Sequence, residues 1–439
     1  MPTMRGSIRP ILTTTIVMLT TAVGGCAVRN GGGVVRTTVT PSPIDWPERT
    51  AEPDDATLVE EESTCGWHEL AANETGRLYE LDFDPRREGT LAIRFDAVPA
   101  DMRWAWSPRP HRDELDARDI RIRALMFISS EPPIEMTLDH GPGSRELVVP
   151  AVPRARAIAV VRRHDREPCG ICVMTTGLGG FTRVETAIRN ALIDRGWVLV
   201  SVAPDLMRAT RLQRQAKFKR SGPLPALIDN ELVDETYAVA LSLEQLMRGE
   251  PAFRDLPVVL VGSSLGAITL PACAARLATA PEPIHPAAVV LVGGGAGVDR
   301  LLLDTSMGHY WLSQAGIDIA NANGEVDAAT RAEVASETQL APERCLWALD
   351  GVPALLVDGQ FDAIVPRATA DQLWALTGRP ERWSYPVGHI GLFVLVGDDQ
   401  WHRVADWIDQ TARGRQSASN GDDSLSSAEG ASRSTAHSP

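Results

Sequence analysis

The feature that most constrains the fold is a series of short, almost continuously apolar runs that alternate with stretches of helical spacing. Strands that are apolar on both faces are typical of parallel sheets covered by helices. The alternation therefore predicts an α/β fold with a doubly wound, mostly parallel sheet. The runs are 157–161, 171–175, 198–202, 258–261, 288–292 and 354–357, and the helical stretches are 184–195, 232–247, 265–278, 368–376 and 401–411.

Two stretches interrupt this alternation and are predicted to be insertions. Residues 206–230 are basic and irregular, whereas residues 299–349 are long and mostly helical in texture. Insertions after the strands of such a sheet often build the walls of a binding site. The basic stretch either attracts an acidic substrate or anionic lipid head groups, or is a solvated face, and the residues leave both interpretations open.

An N-terminal region at residues 61–152 has a different pattern, in which apolar and polar residues alternate. This period of two predicts half-buried, antiparallel strands. The sequence does not decide between a separate β-domain and an extension of the main sheet. The alternating apolar residues are Tyr79, Leu81 and Phe83; Leu91, Ile93 and Phe95; Ile120, Ile122, Ala124 and Met126; and Ile134, Met136 and Leu138.

The strongest chemical signal is Gly262-Ser263-Ser264-Leu265-Gly266, which follows the apolar run 258–261 and precedes an apolar helical stretch. A strand, a tight turn and a helix are the context in which G-x-S-x-G presents a nucleophilic serine. The glycines are needed because a Cβ atom on either flank of so sharp a turn would clash. The motif predicts Ser264 as the nucleophile, with Ser263 at its variable position; the alternative is a purely structural strand-to-helix turn.

Further motifs supply partners for that serine, which needs a base to take its proton. Asp358-Gly359-Gln360-Phe361-Asp362 follows the run 354–357, and Gly388-His389 follows Trp383-Ser384-Tyr385-Pro386. In content and order, these motifs resemble those of the α/β-hydrolase superfamily over residues 157–411. The resemblance implies His389 as general base and then acid, and Asp362 as the orienting acid. Asp358 and His402 are the competing candidates.

The same resemblance implies two backbone N–H groups that stabilise an oxyanion. One belongs to Leu265, the residue after the nucleophile. The other is expected after the run 171–175, where the family commonly has His-Gly and this chain has Thr176-Gly177, so that Leu178 becomes the donor. The glycines that follow lack both the dinucleotide spacing and the phosphate-loop lysine, and no cofactor is predicted.

Metal and nucleic-acid partners are not expected. The six cysteines show no paired zinc-ligand spacing, and the C-x-x-C formed by Cys169 and Cys172 opens an apolar run, where small buried hydrophobes are typical. No H-E-x-x-H motif is present. The net charge of −14 provides no basic stripe for phosphates.

The first residues resemble the signal of a bacterial lipoprotein. Arg5 and Arg9 precede the apolar stretch 11–23, and Val23-Gly24-Gly25-Cys26 follows. The resemblance implies cleavage before Cys26, acylation of its sulfur and a membrane anchor in the cell envelope, facing the periplasm or the exterior. The alternative is a plain signal peptide with an incidental cysteine.

The organisation expected from the sequence is a signal peptide at 1–25, a flexible tether at 26–60, the β-rich region at 61–152, an α/β-hydrolase domain at 153–412 and a disordered tail at 413–439. The resemblance implies a serine hydrolase that acts on a small acyl substrate, a carboxylic ester or thioester, through an acyl-enzyme. A peptidase or amidase with the same residues is one alternative. A non-catalytic envelope lipoprotein that binds a ligand is the other.

Overall fold

The computed structural model describes Ile44, Trp46 and residues 68–73, 76–83, 120–130, 134–140, 143–149, 153–164, 167–177, 183–204, 218–220, 222–314, 317 and 326–414. The strands are β1 (His68–Asn73), β2 (Gly76–Phe83), β3 (Ile120–Ser130), β4 (Ile134–His140), β5 (Gly143–Val149), β6 (Pro153–His164), β7 (Gly170–Thr175), β8 (Trp197–Pro204), β9 (Phe218–Arg220), β10 (Val258–Ser263), β11 (Ala288–Val292), β12 (Ala354–Gly359) and β13 (Glu381–Tyr385).

The helices are α1 (Arg183–Asp194), α2 (Leu224–Gly249), α3 (Leu265–Ala278), α4 (Val298–Leu303), α5 (Ser306–Gln314), α6 (Ala328–Glu337), α7 (Pro342–Cys345), α8 (Arg367–Leu376), α9 (His389–Val394) and α10 (398–414). Short 3₁₀ segments cover Pro251–Asp255 and Leu346–Leu349. Among these described helices, none is long and apolar enough to cross a membrane.

A sheet of ten strands organises the molecule, in the order β1-β2-β3-β6-β8-β7-β10-β11-β12-β13. The six strands from β8 to β13 in this order pair in parallel. The predicted fold class, an α/β fold with a mostly parallel sheet, is confirmed. The strands β1, β2 and β3 join the edge of this sheet through antiparallel pairing, so the N-terminal β-rich region extends the main sheet. The run at residues 91–95 lies outside the described residues.

The two faces of the parallel strands are buried in two different clusters, which explains the continuous apolar runs. In β7, Ile171 and Val173 belong to one cluster, and Cys172 and Met174 belong to the other. In β10, Leu260 and Val261 divide between the clusters in the same way. Because alternate residues of a strand point to opposite faces, a strand covered on both sides needs apolar residues throughout.

Strand β6 corrects one expectation. Its run 157–161 was predicted to lie parallel to its neighbours, but β6 pairs antiparallel with both β3 and β8. An apolar run indicates that a strand is covered and does not report its direction, which depends on the path of the connections.

The two insertions differ in how closely they match the prediction. Within 206–230, β9 pairs with β4 in a three-stranded antiparallel sheet, and α2 begins at Leu224, so the expectation of irregular structure is wrong for residues 224–230. A proline in its first turn suits the start of α2 because the first N–H groups of a helix have no intrahelical acceptor. Residues 206–217 lie outside the described part. The second insertion contains α4 to α7 and is helical, as predicted.

The predicted tether has contact with the folded body at two positions. Ile44 and Trp46 pack against the cluster that also contains α2 and α3 residues. The guanidinium of Arg276 on α3 lies 4.0 Å from the ring centroid of Trp46 and 3.6 Å from that of Tyr237 on α2. A cation held over aromatic faces is attracted by their quadrupoles. At Ile44 and Trp46 the chain is therefore docked, and the other residues from 26 to 60 lie outside the described part, as do those of the tail beyond 414.

The cysteines of the C-x-x-C lie where a structural role is sufficient. Cys172 is fully buried in β7, and burial raises the pKa of its thiol, which keeps the sulfur protonated and unreactive. Cys169 donates a hydrogen bond to the carbonyl oxygen of Arg195 at 3.3 Å.

Candidate active site

Ser264 occupies a sharp turn between β10 and α3. Its backbone angles are φ 54° and ψ −117°, a region that residues with a Cβ atom adopt rarely. The backbone N–H of Ser264 donates to the carbonyl oxygen of Val292 on the adjacent β11 at 2.8 Å, which helps to hold this conformation. Strained backbone of this kind is found where it serves to present a functional side chain.

The two glycines of the motif are required by contacts that a larger residue would break. A Cβ atom on Gly262 would lie 2.5 Å from the carbonyl oxygen of Gly266, across the turn. A Cβ atom on Gly266 would lie 2.5 Å from the carbonyl oxygen of Thr175, at the end of β7. The turn is therefore closed on itself and pressed against the neighbouring strand.

The structure brings Ser264, His389 and Asp362 together in one hydrogen-bonded chain. Ser264 Oγ lies 2.9 Å from His389 Nε2, and His389 Nδ1 lies 2.6 Å from Asp362 Oδ2. The other carboxylate oxygen, Oδ1, accepts the backbone N–H groups of Ile364 at 2.9 Å and Val365 at 2.7 Å. Both His389 and Asp362 are buried. The aspartate therefore faces the imidazole in a fixed orientation.

The loops that carry the acid and the base are bonded to each other. Beyond β12 and β13, the N–H of Gln360 donates to Tyr385 at 2.8 Å, and the N–H of Phe361 donates to Val387 at 3.0 Å. A Cβ atom on Gly359 would lie 2.5 Å from the carbonyl oxygen of Val387, so glycine allows this close approach. Asp362 and His389 are therefore positioned by one continuous piece of backbone structure.

The competing candidates lie elsewhere. Asp358 is buried and forms ion pairs with Arg382 at 2.5 Å and Arg367 at 3.4 Å, and it accepts the Ser384 hydroxyl at 2.8 Å. These contacts direct Asp358 away from the imidazole and give it a structural role. His402 is exposed on α10.

The expected oxyanion donors are placed only in part. Leu265 is the first residue of α3, where N–H groups lack intrahelical acceptors and the helix dipole favours negative charge. On the other side, a Cβ atom on Gly177 would lie 2.8 Å from Ser264 Cβ and 3.3 Å from Ser264 Oγ, so this backbone passes directly beside the serine. Leu178 lies outside the described residues.

Sequence reasoning missed two features around this site. Glu185 in the first turn of α1 is buried and accepts a hydrogen bond from the hydroxyl of Ser263, next to the nucleophile. No local pattern distinguishes it from an ordinary acidic residue in a first helical turn. Gly293 has φ +62°, and a Cβ atom there would lie 3.3 Å from His389 Cε1, so this glycine makes room for the imidazole.

A second buried carboxyl lies in the interface between α2 and α3, the helix that follows the predicted nucleophile. Glu235 on α2 accepts the hydroxyl of Thr269 on α3, and its Oε1 has no hydrogen-bond partner within the part of the chain that the structure describes. Burial raises the pKa of Glu235 from its ordinary value of 4.5 to about 8, against the lowering effect of the Thr269 hydrogen bond. The described residues contain no group of three or more His, Cys, Asp and Glu side chains that could hold a metal ion.

No family model matches the chain. No curated protein matches it either. Est1E from Butyrivibrio proteoclasticus has 13% identity, with 65% of this chain and 99% of that chain covered and a TM-score of 0.38.

Two other solved structures show a likeness of similar extent. TT1662 from Thermus thermophilus has 19% identity, with 56% of this chain and 93% of that chain covered and a TM-score of 0.34. Pyrococcus horikoshii acylaminoacyl peptidase has 10% identity, with 66% of this chain and 47% of that chain covered and a TM-score of 0.38. The fold is defined by the strand order and pairing of the ten-stranded sheet.

Proposed function

We propose that this protein is a serine hydrolase that cleaves a carboxylic ester or thioester through an acyl-enzyme on Ser264. The observation that carries the proposal is the hydrogen-bonded chain from Asp362 through His389 to Ser264, which ends at a serine with positive φ between a strand and a helix. A nucleophile, its base and the group that orients the base are the arrangement that nucleophilic catalysis requires.

In the acylation step, His389 Nε2 takes the proton of Ser264 Oγ as this oxygen attacks the carbonyl carbon of the substrate. Asp362 supports this step because its carboxylate accepts Nδ1–H, leaving the Nε2 lone pair directed at the serine across 2.9 Å. The negative charge that develops on the carbonyl oxygen is stabilised by the N–H of Leu265, with Leu178 as the proposed second donor. The imidazolium then protonates the leaving group, and the bond between the carbonyl carbon and that group breaks.

In the deacylation step, a water molecule takes the place of the leaving group. His389 removes a proton from this water, the hydroxide attacks the acyl carbon, and the same oxyanion contacts serve again. Collapse of the intermediate breaks the bond to Ser264 Oγ, which recovers its proton from His389, and the carboxylic acid leaves. The cycle uses one base twice.

The experiment that tests the proposal is labelling with a serine-directed fluorophosphonate. We expect the wild-type chain to be labelled and Ser264→Ala to be unlabelled, whereas the exposed serine on α6 gives a matched control, Ser336→Ala, that labels fully. Labelling that survives Ser264→Ala, or no labelling of the wild type, refutes the proposal. Comparison of p-nitrophenyl esters with the matching p-nitroanilides then separates an esterase from an amidase, because only an amidase cleaves both efficiently.

We also propose that Cys26 is acylated and anchors the protein in a bacterial envelope membrane, where the substrate is met outside the cytoplasm. The support is the basic start, the apolar stretch 11–23 and the small residues that precede the cysteine. Cys26→Ser is expected to release the protein from membranes in cell fractionation. Continued membrane association of this variant argues against the anchor.

A further inference from the structure

The residue that precedes the nucleophile has an unusual partner. Ser263 is the last residue of β10 and is almost fully buried, with 1% of its surface exposed. Its hydroxyl donates a hydrogen bond to the carboxylate of Glu185 on α1, which is also buried, with 2% exposed. A buried acidic side chain therefore contacts the residue that directly precedes Ser264.

A second set of contacts joins the same turn to the end of β7. Thr175 Oγ1 donates to the carbonyl oxygen of Gly266 at 2.9 Å, and Ser263 Oγ lies 3.5 Å from the carbonyl oxygen of Thr175. Gly177, two residues further on, passes beside the Ser264 side chain. The turn is thus held by contacts with both the end of β7 and the first turn of α1.

Stability alone is a poor reason for the Glu185 contact. A carboxyl group removed from water costs free energy that its hydrogen bonds recover only in part. Pairs of buried polar groups can often be replaced by apolar residues of similar shape with little loss or even a gain in stability. What such a pair does provide is a defined geometry, because the hydroxyl must point at the carboxylate oxygen.

We infer that Glu185 and Ser263 are positioning residues, which fix the backbone of the turn so that Ser264 Oγ and the Leu265 N–H keep their orientation relative to Gly177 and His389. The inference rests on the proposed acyl-enzyme mechanism. It predicts that loss of the contact weakens transition-state stabilisation and leaves substrate binding nearly intact. A displacement of reacting groups by about 1 Å is enough to lower a rate by about 10²-fold.

The test compares Ser263→Ala, Glu185→Leu and Glu185→Gln in the full chain by steady-state hydrolysis of a p-nitrophenyl ester. Ser263→Ala and Glu185→Leu are expected to lower kcat by at least about 10-fold with KM within about twofold. Glu185→Gln retains an acceptor oxygen for the Ser263 hydroxyl and is expected to stay within about threefold of wild type. The double variant Ser263→Ala with Glu185→Leu is expected to fall no further than the worse single variant.

Thr269 and Glu235 provide a matched control with the same chemistry. Here too, a hydroxyl donates to a fully buried carboxyl, but the pair joins α3 to α2. Its contact with the turn is within α3, where Thr269 Oγ1 lies 3.3 Å from the carbonyl oxygen of Gly266. Thr269→Ala is expected to keep kcat within about twofold of wild type. An equal loss of kcat in Thr269→Ala and Ser263→Ala would point to general loosening of the core and overturn the inference.

The outcomes also separate this inference from the proposed function. If wild type hydrolyses the ester and Ser264→Ala does not, but Ser263→Ala retains full kcat, the positioning role is wrong and the hydrolase stands. If wild type neither hydrolyses the ester nor reacts with the fluorophosphonate, both fail. If Glu185→Leu does not fold, Ser263→Ala alone decides whether the positioning role holds. This substitution removes a single oxygen atom and keeps the Cβ atom of the side chain.

Discussion

Glu235 offers the sharpest physical prediction, because its carboxyl lies in the interface between α2 and the helix that begins at the nucleophile. The folded protein holds the proton of Glu235 up to a pH of about 8, whereas the unfolded chain loses it near the ordinary pKa of 4.5. Between these values, folding takes up a proton. The free energy of unfolding of wild type therefore decreases as the pH rises through this window.

Glu235→Gln removes this titration and keeps an oxygen that can accept the Thr269 hydroxyl. Each pKa unit of difference corresponds to about 1.4 kcal/mol, less where the folded group begins to titrate. The free energy of unfolding of the variant, relative to wild type, is therefore expected to increase by about 2 kcal/mol between pH values of about 6 and 8, and then to level off. The sign follows from desolvation, which opposes the charged carboxylate and has no counterpart for an amide.

Equilibrium unfolding in urea at about six pH values measures this difference directly. A matched control is Glu244→Gln, which changes an exposed carboxylate on the same helix that pairs with Arg248. This control is expected to show no comparable trend across the window. A difference between Glu235→Gln and wild type that stays constant with pH would refute the reasoning, since it would mean that Glu235 titrates alike in both states.

Four other predictions concern the site and its surroundings. Asp362→Asn is expected to lower kcat by about 10³–10⁴-fold in ester hydrolysis. Asp358→Asn, which breaks the buried pair with Arg382, is expected to lower the free energy of unfolding by about 3–5 kcal/mol with little change in kcat. A large loss of kcat in Asp358→Asn and a loss of stability alone in Asp362→Asn would make Asp358 the orienting acid and Asp362 the structural residue. Gly266→Ala is expected to abolish folding or activity, because Cβ would meet Thr175, and a soluble active variant contradicts this. Trp46→Ala is expected to lower the urea midpoint by the equivalent of about 1 kcal/mol, and an unchanged midpoint argues against docking.

The parts of the fold and site that could be predicted are those written in local sequence. The turn at Ser264 has its strand, glycines and helix within 21 consecutive residues, from Val258 to Ala278. The parallel strands can likewise be predicted from local sequence, because burial on both faces leaves no polar position in a run such as 288–292. In both cases the physical cause and the pattern lie in the same short segment.

The parts that could not be predicted depend on residues far apart in the chain. Asp358 and Asp362 both follow the apolar run of β12. Their environments differ because Arg382, on the neighbouring strand β13, forms an ion pair with Asp358. Glu185 reaches Ser263 across 78 positions. Trp46 belongs to a stretch without amphipathic period, and its docking depends on Arg276 and Tyr237, which only the packed α2 and α3 bring together.

The backbone hydrogen bonds between the loop of Asp362 and the loop of His389 divide the proposed catalytic group into two structural units. Asp362 and His389 are held together because their loops share backbone hydrogen bonds, whereas Ser264 lies in the turn between β10 and α3. Between β10 and β12 lies β11, which ends at Val292 and is followed by Gly293, beside the imidazole. The distance between Ser264 and His389 therefore depends on the position of one intervening strand, β11, which lies about 4.8 Å from each neighbouring strand. A substitution that moves β10 and β12 further apart would break the hydrogen bond between Ser264 and His389, while Asp362 would still orient the imidazole.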